Sequence, residues 1–229
     1  MTLTLPPASG IRLLLLGATG LVGNHVLRQA LASPAVSDII APTRRHLAQR
    51  NFGLKKLSNP QIDFDDVDPY APEWEVDAVI CALGTTIRKA GSRDAFRQVD
   101  YEYPLKFARL ARDRGASVFA LASATGADTN AHFFYNRVKG ELEQALAQEN
   151  FGSLTFVQPG VIGGAREESR PGEMALKLAL TVFSPLLPRR WHLNPAPEIA
   201  ARLLQSVVHS QPGITRISSG EMAGKRRTF

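Results

Sequence analysis

The chain has 229 residues, of which 44% are hydrophobic and 21% are charged. This length supports one sizeable hydrophobic core, or one core with a small annex. The single cysteine, Cys81, excludes an intramolecular disulfide. No apolar run approaches the length of a membrane span, and the N-terminal residues lack the pattern of a secretory signal. We therefore expect a cytoplasmic protein with no membrane partner.

The basic residues are spread along the chain and give a net charge of +6. They form no run of four, and aromatic residues are not interleaved with them as a nucleic-acid stacking surface requires. We therefore expect no nucleic-acid partner, because an anionic small ligand explains part of the excess equally well. The five histidines are dispersed without metal-ligand spacing, so no metal site is expected.

Short apolar runs alternate with amphipathic stretches from residue 11 onwards, which is typical of strands buried on both faces and separated by helices. Pro104 should bend or split one of these helices. The predicted strands are 11–16, 36–41, 52–57, 61–64, 76–81, 117–122, 154–157 and 214–219. The predicted helices are 21–31, 93–114, 132–148, 174–183 and 196–208, and the tail 220–229 is expected to be flexible.

This alternation predicts an α/β fold, a Rossmann-type doubly wound parallel sheet with helices on both faces. The pattern loosens after Pro159, and we expect a small C-terminal helical cap there. We predict a single domain over residues 1–229, in which 160–212 contribute the substrate cap.

Three glycines follow the first predicted strand and open the first predicted helix. Gly17, Gly20 and Gly23 form the pattern G-x-x-G-x-x-G. The first permits a tight turn, the second allows the backbone to approach a pyrophosphate, and the third allows close helix–strand packing. The helix N-terminus adds free N–H groups and a positive dipole end. The predicted phosphate-binding turn consists of Gly17, Ala18, Thr19, Gly20, Leu21, Val22 and Gly23.

The end of the second predicted strand should select the cofactor. A carboxylate there binds a ribose 2′-hydroxyl, whereas an arginine accommodates a 2′-phosphate. This chain has Thr43, Arg44 and Arg45 at that point, with no carboxylate nearby. We therefore expect NADP(H) to be preferred over NAD(H), with Arg44 and Arg45 as ligands.

Tyr135 and Lys139 lie four residues apart on a predicted helix and therefore share a face. An ammonium beside a phenol favours the phenolate, and such a phenol can exchange a proton with a carbonyl or alcohol. A hydroxyl at the end of the preceding strand could stabilise charge on the substrate oxygen. Ser123 and Thr125 are the two candidates for this role.

The chain resembles the short-chain dehydrogenase/reductase superfamily through G-A-T-G-L-V-G, T-R-R, the stretch CALGTT and Tyr135-x-x-x-Lys139. It is most similar to the small, atypical, extended-type members, and to their Tat-interacting-protein branch. The resemblance implies that Tyr135 is the acid/base, that Lys139 tunes it and holds the nicotinamide ribose, and that Ser123 stabilises the substrate oxygen. Asp100 stands where the family often has an asparagine.

The resemblance also extends the expected cofactor site. It implies that Asp63 and Phe64 contact the adenine, that Leu83 and Gly84 lie along the cofactor, and that Pro159 to Val161 flank the nicotinamide. The first hypothesis is an NADP-dependent oxidoreductase acting on a carbonyl or alcohol substrate. The alternatives are an NADPH-binding sensor that acts through protein partners without turnover, and an epimerase or dehydratase acting on a nucleotide sugar. The sequence leaves open a homodimer or a protein partner.

Overall fold

A parallel sheet forms the centre of the computed structural model, which describes residues 10–45, 47, 56–163 and 193–223. Its strands, with the two of a smaller sheet, are β1 (Ile11–Leu16), β2 (Val36–Ile40), β3 (Leu57–Ser58), β4 (Ala78–Cys81), β5 (Val118–Ala122), β6 (Ser153–Gln158), β7 (Val161–Gly163), β8 (Leu193–Pro195) and β9 (Gly213–Ser218). The main sheet has the order β3-β2-β1-β4-β5-β6-β9, and β7 pairs with β8. The strand order reverses between β1 and β4, where sheets of this kind bind ligands at their carboxyl ends.

Helices cover both faces of the main sheet. They are α1 (Leu21–Ala32), α2 (Ile87–Ala90), α3 (Arg93–Arg97), α4 (Tyr103–Asp113), α5 (Phe134–Ala147), α6 (Ala196–Val208) and α7 (Ser219–Ala223). Leu13 and Leu15 of β1 are buried on the face with α1 and α6. Leu14 and Leu16 are buried on the opposite face with α4 and α5. Successive side chains of a strand point to opposite faces, so the unbroken apolar run of β1 fits a strand covered on both sides. The predicted fold class is confirmed.

Pro104 divides the long predicted helix. After α3 the chain forms a π-helical turn over Gln98–Glu102, and α4 follows with Pro104 in its first turn. Proline has no N–H to donate to the carbonyl four residues back, here that of Asp100. The neighbouring Tyr103 N–H bonds instead to the carbonyl of Gln98, five residues back. The helix predicted over 93–114, which Pro104 was expected to bend or split, is thus interrupted by a π-helical turn, and this widened turn carries Asp100.

Four predicted segments differ from the structure or lie partly or wholly outside it. The strand predicted at 61–64 is wrong, because that segment makes only an isolated bridge between Gln61 and Thr43. The Asp63 carboxylate accepts the N–H of Asp65 there (3.0 Å), a local bond that favours a turn. Much of the strand predicted at 52–57 and the whole helix predicted at 174–183 lie outside the described residues. Part of the tail expected to be flexible forms α7.

Helix α6 belongs to the sequence range predicted as the substrate cap. Its apolar side chains Ile199, Ala200 and Leu203 are fully buried in the core layer that also contains α1. Residues 164–192, the remaining part of that range before β8, lie outside the described residues. Within the described ranges, none of the helices is both long enough and apolar enough to cross a bilayer.

Candidate functional site

A cleft of about 340 Å³ opens at the carboxyl ends of β1 and β4. Six of the residues expected to contact a cofactor line it, namely Gly17, Thr19, Gly20, Arg44, Leu83 and Gly84. The remaining lining residues were missed from the sequence and are Ala82, Thr85, Lys89, Ala90, Ala95, Gln98, Val99 and Tyr103. Most of the missed residues lie on α2, α3 and the π-helical turn, which only the tertiary fold brings to the cleft.

The glycines of the phosphate-binding turn are required by close backbone contacts. Gly17 has φ +84°, and a Cβ there would lie 2.6 Å from the carbonyl oxygen of Ala82. A Cβ on Gly23 would lie 2.0 Å from the carbonyl oxygen of Gly17. Gly20 is the N-cap of α1, and its N–H donates to that same carbonyl at 2.9 Å. The turn therefore packs strand, loop and helix so closely that side chains at Gly17 and Gly23 are excluded.

The other residues of the turn divide into lining and supporting positions. Thr19 lines the cleft. Ala18 and Val22 are buried in the core layer below, and Leu21 packs against the same layer. These three residues therefore contribute backbone rather than exposed side chains to the turn.

Arg44 and Arg45 follow β2 in a turn that a buried polar residue fixes. The hydroxyl of Thr43 donates to the carbonyl of Arg45 (2.7 Å) and accepts from the amide of Asn59 (2.8 Å). The same amide donates to the carbonyl of Ala41 (2.6 Å). Both arginines are exposed, and neither forms an ion pair with any other described residue. Arg44 lines the cleft, whereas Arg45 does not.

Neither of the residues expected at the adenine lines the cleft. Phe64 is buried and makes edge contacts with the rings of Tyr103 and Phe107. Asp63 is exposed and accepts from its own loop. Tyr103 lines the cleft, and its hydroxyl donates to Asp65 at 2.9 Å. Burial, reinforced by that hydrogen bond, raises the pKa of Tyr103 to about 12.

Tyr135 and Lys139 occupy one face of α5 and differ sharply in exposure. Tyr135 is 37% exposed and its ring packs beside that of Phe96, with 5.8 Å between centroids. Lys139 is 3% exposed, and its Nζ lies 2.8 Å from Oδ1 of Asp100. A phenol that solvent can reach therefore stands one helical turn from a buried ammonium.

Asp100 is fully buried and connects α5 to the cleft. Its Oδ2 accepts the backbone N–H of Thr85 at 2.8 Å, in the loop that follows β4. Burial is the largest single influence on Lys139 and would lower its pKa, but the attraction and hydrogen bond of the Asp100 carboxylate, together with smaller contributions from Tyr135 and Cys81, raise the pKa above its usual value. Lys139 is therefore held in its charged form.

Ser123 is buried at the end of β5, and its hydroxyl has a partner within the protein. It donates to Oε1 of Glu143 at 2.5 Å. Glu143 is itself 5% exposed and also accepts from the amide of Gln158 at 2.9 and 3.1 Å. The guanidinium of Arg216 lies 3.6 Å from its second oxygen. In this structure the donor of Ser123 is directed towards Glu143.

Glu143 was missed in the sequence, although a signal was present. It follows Lys139 by four residues, as Lys139 follows Tyr135, so the three side chains share one face of α5. Thr125, the second hydroxyl candidate, donates to the carbonyl of Gln158 at 3.0 Å. Both hydroxyls predicted near the substrate are thus bonded within the protein.

A buried amide fixes the turn that was expected beside the nicotinamide. The N–H of Gly160 donates to Oδ1 of Asn194 at 2.8 Å, and Asn194 is fully buried. Pro159 accepts the N–H of Thr125 at 2.9 Å, and Val161 begins β7. Asn194 lies far along the chain on β8, so the sequence offered no signal for this contact.

Cys81 is buried at the end of β4. Burial raises the pKa of the Cys81 thiol to about 11, which keeps it protonated. Among the residues that the structure describes, no three His, Cys, Asp or Glu side chains are grouped to hold a metal ion.

Comparison with known proteins identifies relatives over most of the chain. Residues 13–134 match the model of the NAD dependent epimerase/dehydratase family. The chain is 36% identical to Protein HTATIP2 of Rattus norvegicus over 203 residues, which cover 87% of this chain and 82% of that protein. It is 37% identical to Protein fmp52, mitochondrial, of Emericella nidulans over 164 residues, which cover 69% and 70% of the two chains.

Solved structures share the fold at low sequence identity. MoeE5 in complex with UDP-glucose and NAD has a TM-score of 0.67 and 13% identity, covering 91% of this chain and 76% of that chain. The Bordetella bronchiseptica enzyme WbmG in complex with NAD has a TM-score of 0.66 and 14% identity, covering 94% and 75%. These likenesses establish the fold alone.

The names of the fungal relatives contradict the cytoplasmic location predicted from the sequence. Proteins of this group from Emericella nidulans, Aspergillus niger and Candida albicans are named mitochondrial. The prediction was wrong because composition and the lack of a secretory pattern argue only against secretion, and do not distinguish one aqueous compartment from another.

The glycine turn lies where the strand order of the sheet reverses, and Tyr135 and Lys139 share one face of α5. These features and the matched relatives indicate the same family. The chain belongs to the NAD-dependent epimerase/dehydratase family of the short-chain dehydrogenase/reductase superfamily.

Proposed function

We propose that the protein is an NADP(H)-dependent oxidoreductase that transfers a hydride to or from a carbonyl or alcohol carbon. The observation that carries the proposal is the cleft beside the glycine turn. Among its described lining residues are the cation Arg44, at the end of β2, and no carboxylate. An arginine at this position suits a ribose 2′-phosphate, whereas a carboxylate would repel it.

The residues of the cleft fit a dinucleotide. Gly17 and Gly23 leave no space for a Cβ, so the turn presents bare backbone to the cleft. The first turn of α1 presents N–H groups that have no acceptor within the helix, and its dipole favours negative charge. This turn would hold the pyrophosphate, Arg44 the 2′-phosphate, and Lys139 the nicotinamide ribose. Bound NADP(H) would supply or accept the hydride at its nicotinamide.

Tyr135 is the group that would exchange a proton with the substrate oxygen. Its exposure allows contact with a substrate, and it lies one helical turn from the buried ammonium of Lys139, on the same face of α5. Asp100 keeps Lys139 charged in a buried position. During carbonyl reduction Tyr135 would donate its proton to the substrate oxygen, and during alcohol oxidation it would accept one.

The proposal is tested by assaying the protein with a panel of aliphatic and aromatic aldehydes and ketones. The oxidation of NADPH is monitored by its absorbance. We expect Tyr135→Phe to lower kcat by at least about 100-fold on any carbonyl that is reduced, because general acid–base catalysis contributes about that much or more. Cofactor affinity should stay unchanged. Tyr70→Phe is the matched control, since Tyr70 is 80% exposed and does not line the cleft. Undiminished turnover by Tyr135→Phe would contradict the assignment.

One observation favours a second function, an NADPH-binding sensor without turnover. The hydroxyl of Ser123 donates its hydrogen bond to Glu143 and does not point a free donor at a substrate. Tight NADPH binding with no reduction of any carbonyl in the panel would support the sensor over the oxidoreductase.

A further inference from the structure

Two cations line the cleft from opposite sides of the glycine turn. In the sheet, β1 lies between β2 and β4. The segments that leave the carboxyl ends of these three strands therefore lie side by side. Arg44 follows β2, the glycine turn follows β1, and Lys89 lies on α2 beyond β4. Arg44 and Lys89 both line the cleft, so an anion at the glycine turn has one cation on each side.

The backbone that carries Lys89 is held at both of its ends. The N–H of Thr85 donates to the buried carboxylate of Asp100 at 2.8 Å. The hydroxyl of Thr86 caps α2 by accepting the N–H of Lys89 at 3.2 Å. Gly91 ends α2 in the left-handed conformation, with φ +87°. The position of Lys89 on the cleft wall is therefore fixed by hydrogen bonds and not by its own side chain.

The ammonium of Lys89 is available for a ligand. Lys89 is exposed, and its side chain has no hydrogen bond or ion pair with any part of the chain that the structure describes. The cleft's described lining contains no carboxylate that would compete with a phosphate for it. Asp94, the acidic residue nearest to Lys89 in the sequence, does not line the cleft. Asp100, the next acidic residue along the chain, is already paired with Lys139.

We propose that Lys89 binds the pyrophosphate of the dinucleotide, a role that rests on the proposed function. The pyrophosphate of a bound dinucleotide lies at the glycine turn and the helix N-terminus behind it. The 2′-phosphate lies instead towards the end of β2, where Arg44 is. Because β1 separates Lys89 from β2, Lys89 serves the group that NADPH and NADH share, and Arg44 serves the group that distinguishes them.

Calorimetric titration of the full chain with NADPH and, separately, with NADH tests this division. We compare the native protein with Lys89→Met, which keeps most of the aliphatic stem and removes the charge. The matched control is Arg88→Met, because Arg88 is an exposed cation on the same helix that does not line the cleft. We expect Lys89→Met to raise the Kd of both dinucleotides about tenfold and to leave their ratio unchanged. Arg88→Met should stay within about twofold of the native protein.

Three results would overturn the inference while leaving the proposed function intact. They are an unchanged Kd in Lys89→Met, a loss of affinity confined to NADPH, and an equal loss in Arg88→Met. The last would show that net charge, and not a contact, controls binding. If the native protein binds neither dinucleotide, the proposed function itself fails and the inference fails with it, so the titration of the native protein separates the two cases.

Discussion

Nζ of Lys139 lies 2.8 Å from Oδ1 of Asp100, and both side chains are almost completely buried. The same carboxylate accepts the N–H of Thr85 in the loop that lines the cleft. Asp100 therefore joins the helix that carries Tyr135 to the wall of the candidate cofactor site. The family resemblance led us to expect an asparagine at this position, and Asp100 adds a charge that an asparagine would not.

Replacing Asp100 by Asn should destabilise the protein in a pH-dependent way. Removing one partner of a buried ion pair costs about 3–5 kcal/mol. In the native protein the pKa of Lys139 is raised, so its contribution to stability is present at neutral pH and is lost only as the pH rises through that raised value. In Asp100→Asn burial remains without the attraction, and the pKa of Lys139 should fall below the unfolded value of about 10.4. The unfolded chain then binds more protons, so the stability of the variant should rise with pH.

Urea denaturation at about pH 7 and about pH 9.5 measures this difference. We expect the deficit of Asp100→Asn relative to the native protein to be smaller at the higher pH. Asp66→Asn is the control, because Asp66 is exposed and forms no ion pair within the described ranges. An equal deficit at both pH values would show that Lys139 does not depend on Asp100 for its charge.

Replacing Ser123 by Ala should affect stability more than turnover. Its hydroxyl is committed to Glu143, so its loss leaves a buried carboxylate with one donor fewer, at a cost of about 1–3 kcal/mol. A hydroxyl that stabilised the substrate oxygen would instead be worth about 100-fold or more in kcat. We expect a loss of less than about tenfold in kcat on a carbonyl that the native protein reduces.

Thr125→Val is the comparison for that experiment, because Thr125 also donates within the protein, to the carbonyl of Gln158. Steady-state kinetics and urea denaturation are measured on both variants. A loss of about 100-fold in Ser123→Ala, with Thr125→Val close to native, would mean that Ser123 leaves Glu143 and donates to the substrate.

Replacing Gly23 by Ala should destabilise the fold although alanine favours a helix. Helix propensity favours alanine by about 1 kcal/mol. The new Cβ would lie 2.0 Å from the carbonyl oxygen of Gly17, a backbone atom that moves only if the glycine turn moves. Overpacking of this kind costs about 1–3 kcal/mol or more. We expect a net loss of stability in thermal unfolding.

The control for Gly23→Ala is Gly152→Ala, where the nearest contact of a Cβ is an ordinary 3.4 Å from the carbonyl of Ser117. Gly152→Ala should unfold close to the native temperature. A Tm for Gly23→Ala equal to that of the native protein would show that the turn is looser than the structure has it.

The sequence predicted those parts of the fold whose causes are local. The buried run of β1, the glycine turn and the effect of Pro104 depend on neighbouring residues, and each is found in the structure. The strand expected at 61–64 is missing because side-chain bonds within that loop compete with strand pairing, and apolar alternation does not report such bonds.

The partners of the site residues depend on contacts between distant segments. The pairs Asp100–Lys139 and Ser123–Glu143 are 39 and 20 residues apart in the chain. The sequence indicated that Tyr135 and Lys139 share one helix face, but it could not show that the charged Lys139 forms an ion pair with Asp100. Nor could it show that the hydroxyl of Ser123 is bonded within the protein. Lys89 was missed for the same reason, because only the order of the strands brings α2 to the cleft.

The most direct test of the proposed cofactor is a calorimetric titration of the native protein with NADPH and with NADH, repeated on Arg44→Ala/Arg45→Ala. The arginines that follow β2 predict that NADPH binds at least about tenfold more tightly than NADH, because the 2′-phosphate would contact a guanidinium. The double variant should lose that preference while keeping its affinity for NADH. Equal or tighter binding of NADH by the native protein would contradict the assignment of NADP(H), and no binding of either would contradict the dinucleotide site itself.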